Sequence, residues 1–258
     1  MSRALSYRTT DYLLIDISNS FTKIAFSTQN RVGRALRIPT KKLSRQTVTA
    51  LLRRRRSPQI VVCSVVPAKN AIIRQAAADQ PALFLTPKLD LGVGIDYPQP
   101  RTIGADRLAN AAAVAELYGC PAIVVDFGTA VTFDVVSASR AYIGGVISPG
   151  LESMTNFLYQ RTALLPRLSL REPEAAVGKS TRAAMMAGAI FGYRGLVREI
   201  LARITAEAFP RDQVRIVATG GYAKLVAARL PEIEAVHADL TLEGLRIIAN
   251  RNVTRMRA

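Results

Sequence analysis

Residues 123–134 combine an apolar run with side chains that suit a site for phosphate and a cation. The start of this stretch, 122–125, is apolar and largely β-branched, which is typical of a strand covered on both faces. It ends at Asp126, a carboxylate at the carboxyl end of a strand, where open α/β sheets bind their ligands. Gly128 permits a positive φ and a close approach to a phosphate, and Thr129 adds a hydroxyl and an amide. The stretch therefore predicts a phosphate and cation site.

A similar arrangement occurs earlier in the chain. Residues 13–16 form an apolar run that ends at Asp16, residues 17–20 form a polar turn, and residues 21–26 continue as a second strand. Residues 215–221 form a third apolar run and a Thr-Gly-Gly turn that opens a helix. Each piece alone is common in proteins. In this order, they predict two related halves that hold one nucleotide.

Asp106 lies in the first turn of a predicted alanine-rich helix that runs to Tyr118. Two interpretations are open, since the helix macrodipole favours a carboxylate there and a base or metal ligand can also occupy this position. His237 is the only histidine, and no Ser or Cys nucleophile forms a recognisable motif with it, so we interpret it as structural. The chain has no Gly-x-x-x-x-Gly-Lys-Ser/Thr motif, which argues against a P-loop enzyme.

The 258 residues carry a formal net charge of +16. The basic excess is scattered along the sequence, apart from the run Arg53–Arg56 at the end of a predicted helix, where cations complement the macrodipole. Nucleic acid, anionic small molecules and a general arginine enrichment each account for such a charge. Because no recognised nucleic-acid-binding module accompanies it, we do not expect nucleic-acid binding to be the main role.

The composition also bears on the compartment. No stretch offers about 18 uninterrupted apolar residues, which argues against a membrane-spanning helix, and residues 1–7 lack the apolar region of a secretory signal. Cys63 and Cys120 have no metal-ligand spacing, and Cys63 lies in an apolar run where a free cysteine acts as a small hydrophobe. We therefore expect a reduced, cytoplasmic protein without a membrane partner.

The predicted elements divide the chain into two domains, 1–118 and 119–258, with the break at Gly119-Cys120-Pro121. The first starts with antiparallel hairpins and then alternates helices and strands. A loop over 86–102 precedes the helix of Asp106, and loops of this length are often functional. The predicted strands lie at 13–16, 21–26, 32–38, 60–66, 82–85, 122–126, 130–134, 141–143, 215–218 and near 236. The other predicted helices lie at 44–56, 68–78, 151–159 and 183–206, from 222, and at 240–249.

Taken together, the motifs resemble the type III pantothenate kinase family, a branch of the acetate and sugar kinase/Hsp70/actin superfamily. The resemblance spans nearly the whole chain, and the motifs follow the family's order. They are Asp16-Ile-Ser-Asn-Ser-Phe-Thr-Lys23, Gly104-Ala-Asp-Arg107, Asp126-Phe-Gly-Thr-Ala-Val-Thr-Phe-Asp134, Gly144-Gly-Val-Ile-Ser-Pro-Gly150, Gly178-Lys-Ser-Thr181, Thr219-Gly-Gly221 and Asp239-Leu-Thr-Leu-Glu-Gly-Leu245. The resemblance implies an α/β fold of two ribonuclease H-like (actin-like ATPase) domains, each a mixed sheet flanked by helices, with a cleft between them.

The resemblance also implies an activity, which is ATP-dependent phosphorylation of pantothenate to 4′-phosphopantothenate in coenzyme A synthesis. It implies a homodimer, Mg²⁺, and a monovalent cation, K⁺ or NH₄⁺, held by Asp126. Asp106 takes the role of general base, and Thr181 touches pantothenate across the dimer. The residues implied for ATP are Asp16, Ile17, Ser18, Asn19, Ser20, Phe21, Thr22, Lys23 and Thr129. Those implied for pantothenate are Tyr97, Gly104, Ala105, Asp106, Arg107 and Thr181.

One position departs from the family pattern, because the first loop normally reads Asp-x-Gly-Asn-Thr and here has Ser18 in place of glycine. Ser18 adds a Cβ where the turn favours positive φ or close phosphate approach, and a non-glycine residue in the left-handed region costs about 1–2 kcal/mol. The enzyme then has a raised KM for ATP, or the chain is a degenerate homologue that binds nucleotide, a partner or nucleic acid as a regulator. A related kinase acting on another small hydroxyl substrate is a third alternative. The presence of Asp106, Asp126 and Thr129 favours an active kinase.

Overall fold

The structure is a computed structural model that describes residues 11–54, 58–78 and 80–253. The described residues fall into two compact units. Those within Met1–Val93, Pro98–Ala113 and Leu240–Ala258 form the first unit, and those within Gly94–Tyr97 and Val114–Asp239 form the second. This division lies at residues 113/114 rather than at the predicted 118/119, and it places the carboxy-terminal helix with the first unit.

The first unit is built on a five-stranded mixed sheet. Its strands are β1 (Tyr12–Ile17), β2 (Phe21–Ser27), β3 (Leu36–Pro39), β4 (Gln59–Ser64) and β5 (Ala82–Phe84), in the spatial order β3-β2-β1-β4-β5. β1 pairs antiparallel with β2 and parallel with β4. All six residues of β1 are buried, as expected for a central strand that is covered on both faces.

Helices flank this sheet, and short sequence signals set where they begin. The helices are α1 (Arg45–Leu52), α2 (Pro67–Ala77), α3 (Ala105–Leu117, which continues into the second unit) and α7 (Leu240–Val253). Ser44 caps α1, and its hydroxyl accepts a hydrogen bond from the Thr47 amide at 3.2 Å. Pro67 occupies the first position of α2, where the missing N–H has no cost. α7 packs against β1 and β4.

The second unit has a six-stranded mixed sheet. Its strands are β6 (Gly94–Ile95), β7 (Ala122–Phe127), β8 (Ala130–Val136), β9 (Ala141–Pro149), β10 (Arg215–Thr219) and β11 (Ala235–Val236), in the spatial order β11-β10-β7-β8-β9-β6. The central β7 pairs antiparallel with β8 and parallel with β10. In both sheets, the central strand pairs antiparallel with the strand that follows it and parallel with a later strand. The chain therefore contains the two related mixed sheets that the sequence predicted.

The helices of the second unit follow β9 and β10. They are α4 (Leu151–Arg161), α5 (Thr181–Ala208) and α6 (Ala223–Ala227). Ser180 caps α5 through a hydrogen bond from the Ala183 amide to its hydroxyl at 3.2 Å. Residues 162–180 between α4 and α5 form no helix or strand, as expected for a segment that contains Pro166 and Pro173. Side chains from β7, β8 and α5 form the core of this unit.

Several predicted segments differ from the structure. The strand predicted over 141–143 extends to Pro149, and the helix predicted over 44–56 ends at Leu52. The strand predicted over 32–38 is confined to Leu36–Pro39, because Val32 forms only an isolated bridge with Ser27. The loop predicted over 86–102 contains β6, which adds to the edge of the second sheet beside β9. The run Arg53–Arg56 follows α1, and its last two arginines lie outside the described residues. No helix within the described residues is long and apolar enough to cross a membrane.

Candidate functional site

The first loop is a two-residue hairpin at the end of β1. The Ser18 amide donates a hydrogen bond to the Phe21 carbonyl at 3.2 Å, which leaves Asn19 and Ser20 at the tip. Asp16 is 5% exposed as a residue, and its carboxylate accepts a hydrogen bond from the Ser18 hydroxyl at 3.2 Å. Ser18 is not among the residues with positive φ. The strain expected for a non-glycine residue here is therefore absent, and the hydroxyl of Ser18 instead orients Asp16.

Thr40, which the sequence did not single out, holds this loop from the side. Its hydroxyl donates to the Ser18 carbonyl at 2.6 Å, and its amide donates to the Ser20 carbonyl at 3.0 Å. Thr40 also shares a buried hydroxyl–hydroxyl bond of 3.0 Å with Thr22. The loop is thus fixed by the segment after β3. Only the structure brings these residues together, since they lie about twenty positions apart in the sequence.

The residues implied for ATP along this hairpin differ in accessibility. Ile17 and Thr22 are 0% exposed, so only their backbone can reach a ligand. Asn19 and Ser20 are exposed at the tip, and Phe21 is 36% exposed. Lys23 lies directly opposite Asp16 in the antiparallel register, so both side chains point to the same face of the sheet.

Asp106 lies in the first turn of α3, as predicted. Its carboxylate occupies room that the absence of a side chain at Gly104 leaves open. Its Oδ1 accepts a hydrogen bond from the Arg107 amide at 2.9 Å. A Cβ at Gly104 would lie 2.6 Å from the same oxygen, so a side chain at residue 104 would displace the carboxylate. Burial raises the pKa of Asp106, and the Arg107 amide and guanidinium oppose that rise in part. A carboxyl group with a raised pKa is better matched to proton abstraction near neutral pH.

A close helix crossing positions α3 within the first unit. A Cβ at Gly244 of α7 would lie 2.0 Å from the carbonyl oxygen of Ala109, one turn after Asp106. Beside this contact, the Thr241 hydroxyl donates to the Asn110 side-chain oxygen at 2.9 Å in a buried hydrogen bond. The crossing therefore sets the position of the helix that carries Asp106. The motif that ends at Leu245 includes this glycine, and close packing is the physical reason for it.

In the second unit, β7 and β10 bring Asp126 together with the Thr-Gly-Gly turn. Asp126 lies beside Thr219 in the parallel register. Gly220 has a φ of +93°, and a Cβ there would lie 2.5 Å from Asp126 Oδ1 and 2.6 Å from the Phe127 backbone. The carboxylate of Asp126 therefore lies directly against the glycine turn. Only glycine meets both the conformational and the steric requirement.

The turn after Asp126 is supported by the start of α4. The Gly150 amide donates to the Thr129 carbonyl at 3.1 Å, and the Ser153 hydroxyl donates to the same oxygen at 2.7 Å. A Cβ at Gly150 would lie 2.3 Å from that carbonyl oxygen. Gly128 does not have a positive φ, so its expected role reduces to close packing, with a Cβ position 3.3 Å from the Ala130 carbonyl oxygen. Thr129 itself is exposed.

The remaining residues implied for pantothenate lie in separate places. Gly104, Ala105 and Arg107 lie with Asp106 at the start of α3 in the first unit. Tyr97 belongs to the second unit, where its ring packs edge-on against Tyr142 at a centroid distance of 6.1 Å. Thr181 is exposed at the first position of α5.

The side chains present limit how a metal ion is held. Among residues 11–54, 58–78 and 80–253, no group of three or more His, Cys, Asp or Glu side chains could hold a metal ion. Single carboxylates are instead available, and they suit Mg²⁺ in the way usual for nucleotide enzymes, where one or two carboxylates bind the ion together with the phosphates of the substrate. Asp16 in the first unit and Asp126 in the second are the carboxylates at strand ends that suit this chemistry.

The family model for type III pantothenate kinase matches residues 12–203. This chain belongs to the type III pantothenate kinase family. A type III pantothenate kinase of Akkermansia muciniphila is 49% identical over 248 residues, which cover 94% of this chain and 99% of that one. A second, of Methylacidiphilum infernorum, is 40% identical over 245 residues, which cover 95% of this chain and 90% of that one.

Solved structures show the fold of the family member described here. A structure from Sinorhizobium meliloti, assigned as a 2-dehydro-3-deoxygalactonokinase, has a TM-score of 0.60 at 16% identity and covers 93% of this chain and 96% of that one. MreB 5 of Spiroplasma citri bound to AMPPNP has a TM-score of 0.53 at 10% identity and covers 95% of this chain and 98% of that one. The chain therefore has the sugar-kinase and actin-like fold that the sequence predicted.

Proposed function

We propose that the protein transfers the γ-phosphoryl group of ATP to pantothenate and forms 4′-phosphopantothenate, the first step of coenzyme A synthesis, in the cytoplasm. Family membership supports the reaction, and the observation that carries the mechanism is the Asp106 carboxyl group. It is held at a helix start by the Arg107 amide, it has room only because residue 104 is glycine, and its pKa is raised by burial.

In this mechanism, Asp106 accepts the proton of the pantothenate hydroxyl as the hydroxyl oxygen attacks the γ-phosphorus. The new P–O bond forms while the bond to the β–γ bridging oxygen breaks, and ADP leaves. A positioned general base contributes on the order of 10²–10⁴-fold to such a step. Most of the remaining acceleration comes from positioning and charge neutralisation, because phosphoryl transfer needs little covalent chemistry from the protein.

The two hairpins supply the phosphate-binding surface. Residues 16–23 with the exposed tip at Asn19 and Ser20, and Thr129 in the second hairpin, contact the phosphates of ATP. Asp16 would hold Mg²⁺, and the chemistry that this ion would supply is neutralisation of charge on the phosphate oxygens. Asp126, whose carboxylate lies against Gly220, would hold K⁺ or NH₄⁺. Tyr97, Gly104, Ala105, Arg107 and Thr181 contact pantothenate.

The exposed apolar face of the second unit supports a homodimer. A groove of about 690 Å³ lies between α4 and α5. The side chains along it include Met154, Phe157 and Leu158, which are 42%, 58% and 42% exposed. Cβ atoms at Gly188 and Gly192 would meet nothing within 4 Å, so a second helix has room to approach closely. We assign this face to the second copy of the chain.

Two measurements test these proposals separately. ATP consumption with Mg²⁺ and K⁺ should require pantothenate and should fall by about 10²–10⁴-fold in Asp106→Asn. Turnover that survives this substitution at the wild-type rate would remove Asp106 from the role of base. Sedimentation should give a dimer for the wild type and for Leu164→Asp, a control at an exposed apolar residue outside the groove, but a monomer for Phe157→Asp. A monomeric wild type would contradict the dimer.

A further inference from the structure

The first unit carries an uncompensated basic surface. Residues 11–54 contain nine lysines and arginines but only two carboxylates, Asp11 and Asp16. Asp16 is 5% exposed, and Asp11 accepts a hydrogen bond from the Gln29 amide at 3.0 Å. Eight of the nine basic side chains are exposed. These eight, Arg31, Arg34, Arg37, Lys41, Lys42, Arg45, Arg53 and Arg54, are called the basic strip.

The basic strip follows consecutive elements at one edge of the sheet. β3 is the edge strand and pairs only with β2, which places Arg37 opposite Lys23. Lys41 and Lys42 follow in a 3₁₀ turn, and Arg45 begins α1. Arg53 and Arg54 follow the other end of α1, a helix of eight residues and hence about 12 Å long at 1.5 Å per residue. The charges are therefore spread over a longer distance than the phosphates of a single nucleotide can cover.

Several arginines elsewhere in the described structure, with side chains at least two-fifths exposed, pair with carboxylates, although other exposed arginines do not. These ion pairs are Arg140–Glu116 at 2.9 Å, Arg167–Glu152 at 3.8 Å, Arg198–Glu232 at 2.8 Å, Arg203–Glu199 at 2.8 Å, Arg215–Glu234 at 3.2 Å and Arg251–Asp90 at 2.8 Å. Among the described residues, no member of the basic strip forms an ion pair. A general enrichment in arginine explains the number of basic residues but not the local lack of carboxylates in residues 11–54. Unpaired positive charges repel one another, and this repulsion lowers the stability of the fold.

An aromatic ring lies within the basic strip. Phe21 is 36% exposed, and the guanidinium carbon of Arg37 lies 3.3 Å from its ring centroid. Aromatic rings and arginine planes are the surfaces on which unpaired bases stack, and they accompany positive charge in proteins that bind single strands without sequence preference. A duplex keeps its bases stacked on one another and offers only its phosphates to such a surface.

We propose that the basic strip binds single-stranded nucleic acid, independently of base sequence, as an activity separate from the kinase reaction. The phosphates contact the lysines and arginines with release of counterions, and bases stack on the pair formed by Phe21 and Arg37. This binding needs neither ATP nor pantothenate, so it can fail or succeed whatever the outcome for the proposed kinase activity.

Fluorescence anisotropy with labelled 20-nucleotide oligothymidylate, at several salt concentrations, tests the proposal. The variant Arg34→Gln/Lys41→Gln/Lys42→Gln/Arg45→Gln should bind at least tenfold more weakly at 50 mM salt. Its slope of log K against log salt should be shallower by about 3, since each phosphate contact on a single strand contributes about 0.7. The control Lys88→Gln/Arg171→Gln/Arg211→Gln/Lys224→Gln changes exposed residues outside the strip. It removes the same net charge and should stay within twofold of the wild type.

Four outcomes would overturn the proposal. Equal weakening in the two quadruple variants would show that only net charge matters. Equal or tighter binding of a duplex of the same length, of polyglutamate or of vesicles rich in phosphatidylserine would assign the strip to another polyanion. Because Phe21 also lies in the loop proposed for ATP, saturating Mg²⁺–ATP should weaken oligonucleotide binding only in part, and complete displacement would assign the strip to the nucleotide site. Absence of binding at 50 mM salt would also overturn it.

Discussion

The substitution Gly244→Ala tests whether the crossing of α7 and α3 sets the position of Asp106. A Cβ at residue 244 would lie 2.0 Å from the Ala109 carbonyl oxygen, whereas such contacts essentially never fall below 3.0 Å. The two helices must therefore separate locally by about 1 Å, the difference between these distances. Overpacking of this kind costs about 1–3 kcal/mol, and alanine returns about 0.8–1 kcal/mol through helix propensity.

The expected net loss is about 0–2 kcal/mol of unfolding free energy, or up to about 8 °C in Tm at this chain length. The effect on catalysis should be larger, because a displacement of about 1 Å at a reacting group can reduce the rate about 10²-fold. We expect kcat to fall by this order, while KM for ATP changes little because the phosphate-binding residues remain in place. Thermal unfolding and pantothenate-dependent ATP turnover measure the two effects.

The matched control is Gly195→Ala in α5, where a Cβ would meet nothing within 4 Å. The same change there should be neutral or should stabilise by about 0.5–1 kcal/mol, with kcat unchanged. If Gly244→Ala keeps both the Tm and the kcat of the wild type, the close crossing does not position Asp106. Equal losses in the two variants would show that glycine is required in these helices for another reason.

Three further substitutions follow from the structure. Asp106→Asn should keep or raise Tm at pH 7. Because the native pKa of Asp106 is raised, the folded protein holds the proton of this carboxyl group more tightly than the unfolded chain does, and the stability that Asp106 contributes is lost as pH rises through that native pKa. A clear fall in Tm would contradict this expectation. Two hydrogen bonds from Arg194, of 2.8 and 2.7 Å, lower the pKa of Glu172. Because the Glu172 side chain is 43% exposed, Glu172→Gln should lower the unfolding free energy by at most about 1 kcal/mol. That difference should vanish as pH falls through the lowered pKa, and a difference that persists in acid would refute the ionic cause. Ser18→Gly should lower the unfolding free energy by about 0.5–1 kcal/mol, because glycine relieves no strain here and frees the backbone of the unfolded chain. A gain in stability would show that Ser18 is strained. We expect the hydrogen bond from the Ser18 hydroxyl to Asp16 to affect the KM for ATP rather than folding.

The sequence predicted the elements whose signals are local. The β-branched run before Asp126 lies next to the strand it specifies, and that strand formed as predicted. Ser44 lies next to the start of its helix, which begins as predicted but ends at Leu52. Ser180 caps the long helix α5 for the same reason. Such features depend on a few neighbouring residues, so one sequence suffices to predict them.

The sequence could not predict features that depend on distant partners. β6 is two residues long, begins with Gly94 and exists because residues 141–142 pair with it, and glycine carries no strand signal. Thr40 reads as an ordinary residue after a proline, and only the folded chain places it on the first loop. Val32 has a strand-forming side chain, yet it makes only one bridge, because a residue joins a strand only where its backbone meets a partner.

At Ser18, the backbone conformation differs from the one that the family pattern suggests. A serine in place of the family's glycine predicted strain on the assumption that the turn requires positive φ. In the structure, Ser18 is outside the left-handed region and donates to Asp16. Backbone strain at Ser18 therefore gives no reason to regard the chain as a degenerate homologue. The closer approach to phosphate that a residue without a Cβ allows is a separate property. A substitution has to be judged by the backbone conformation of its own chain.

The glycines indicate how this site gains precision. At Gly104, Gly150, Gly220 and Gly244, an added Cβ would come within 2.6 Å of another atom. The atoms approached belong to Asp106, to the Thr129 turn, to Asp126 and to the helix that carries Asp106. Because phosphoryl transfer depends mainly on positioning, close approach of rigid backbone suits it better than contact between flexible side chains. Alanine at these four positions should therefore lower kcat by a larger factor than its effect on stability would suggest, and alanine at the open Gly195 should not.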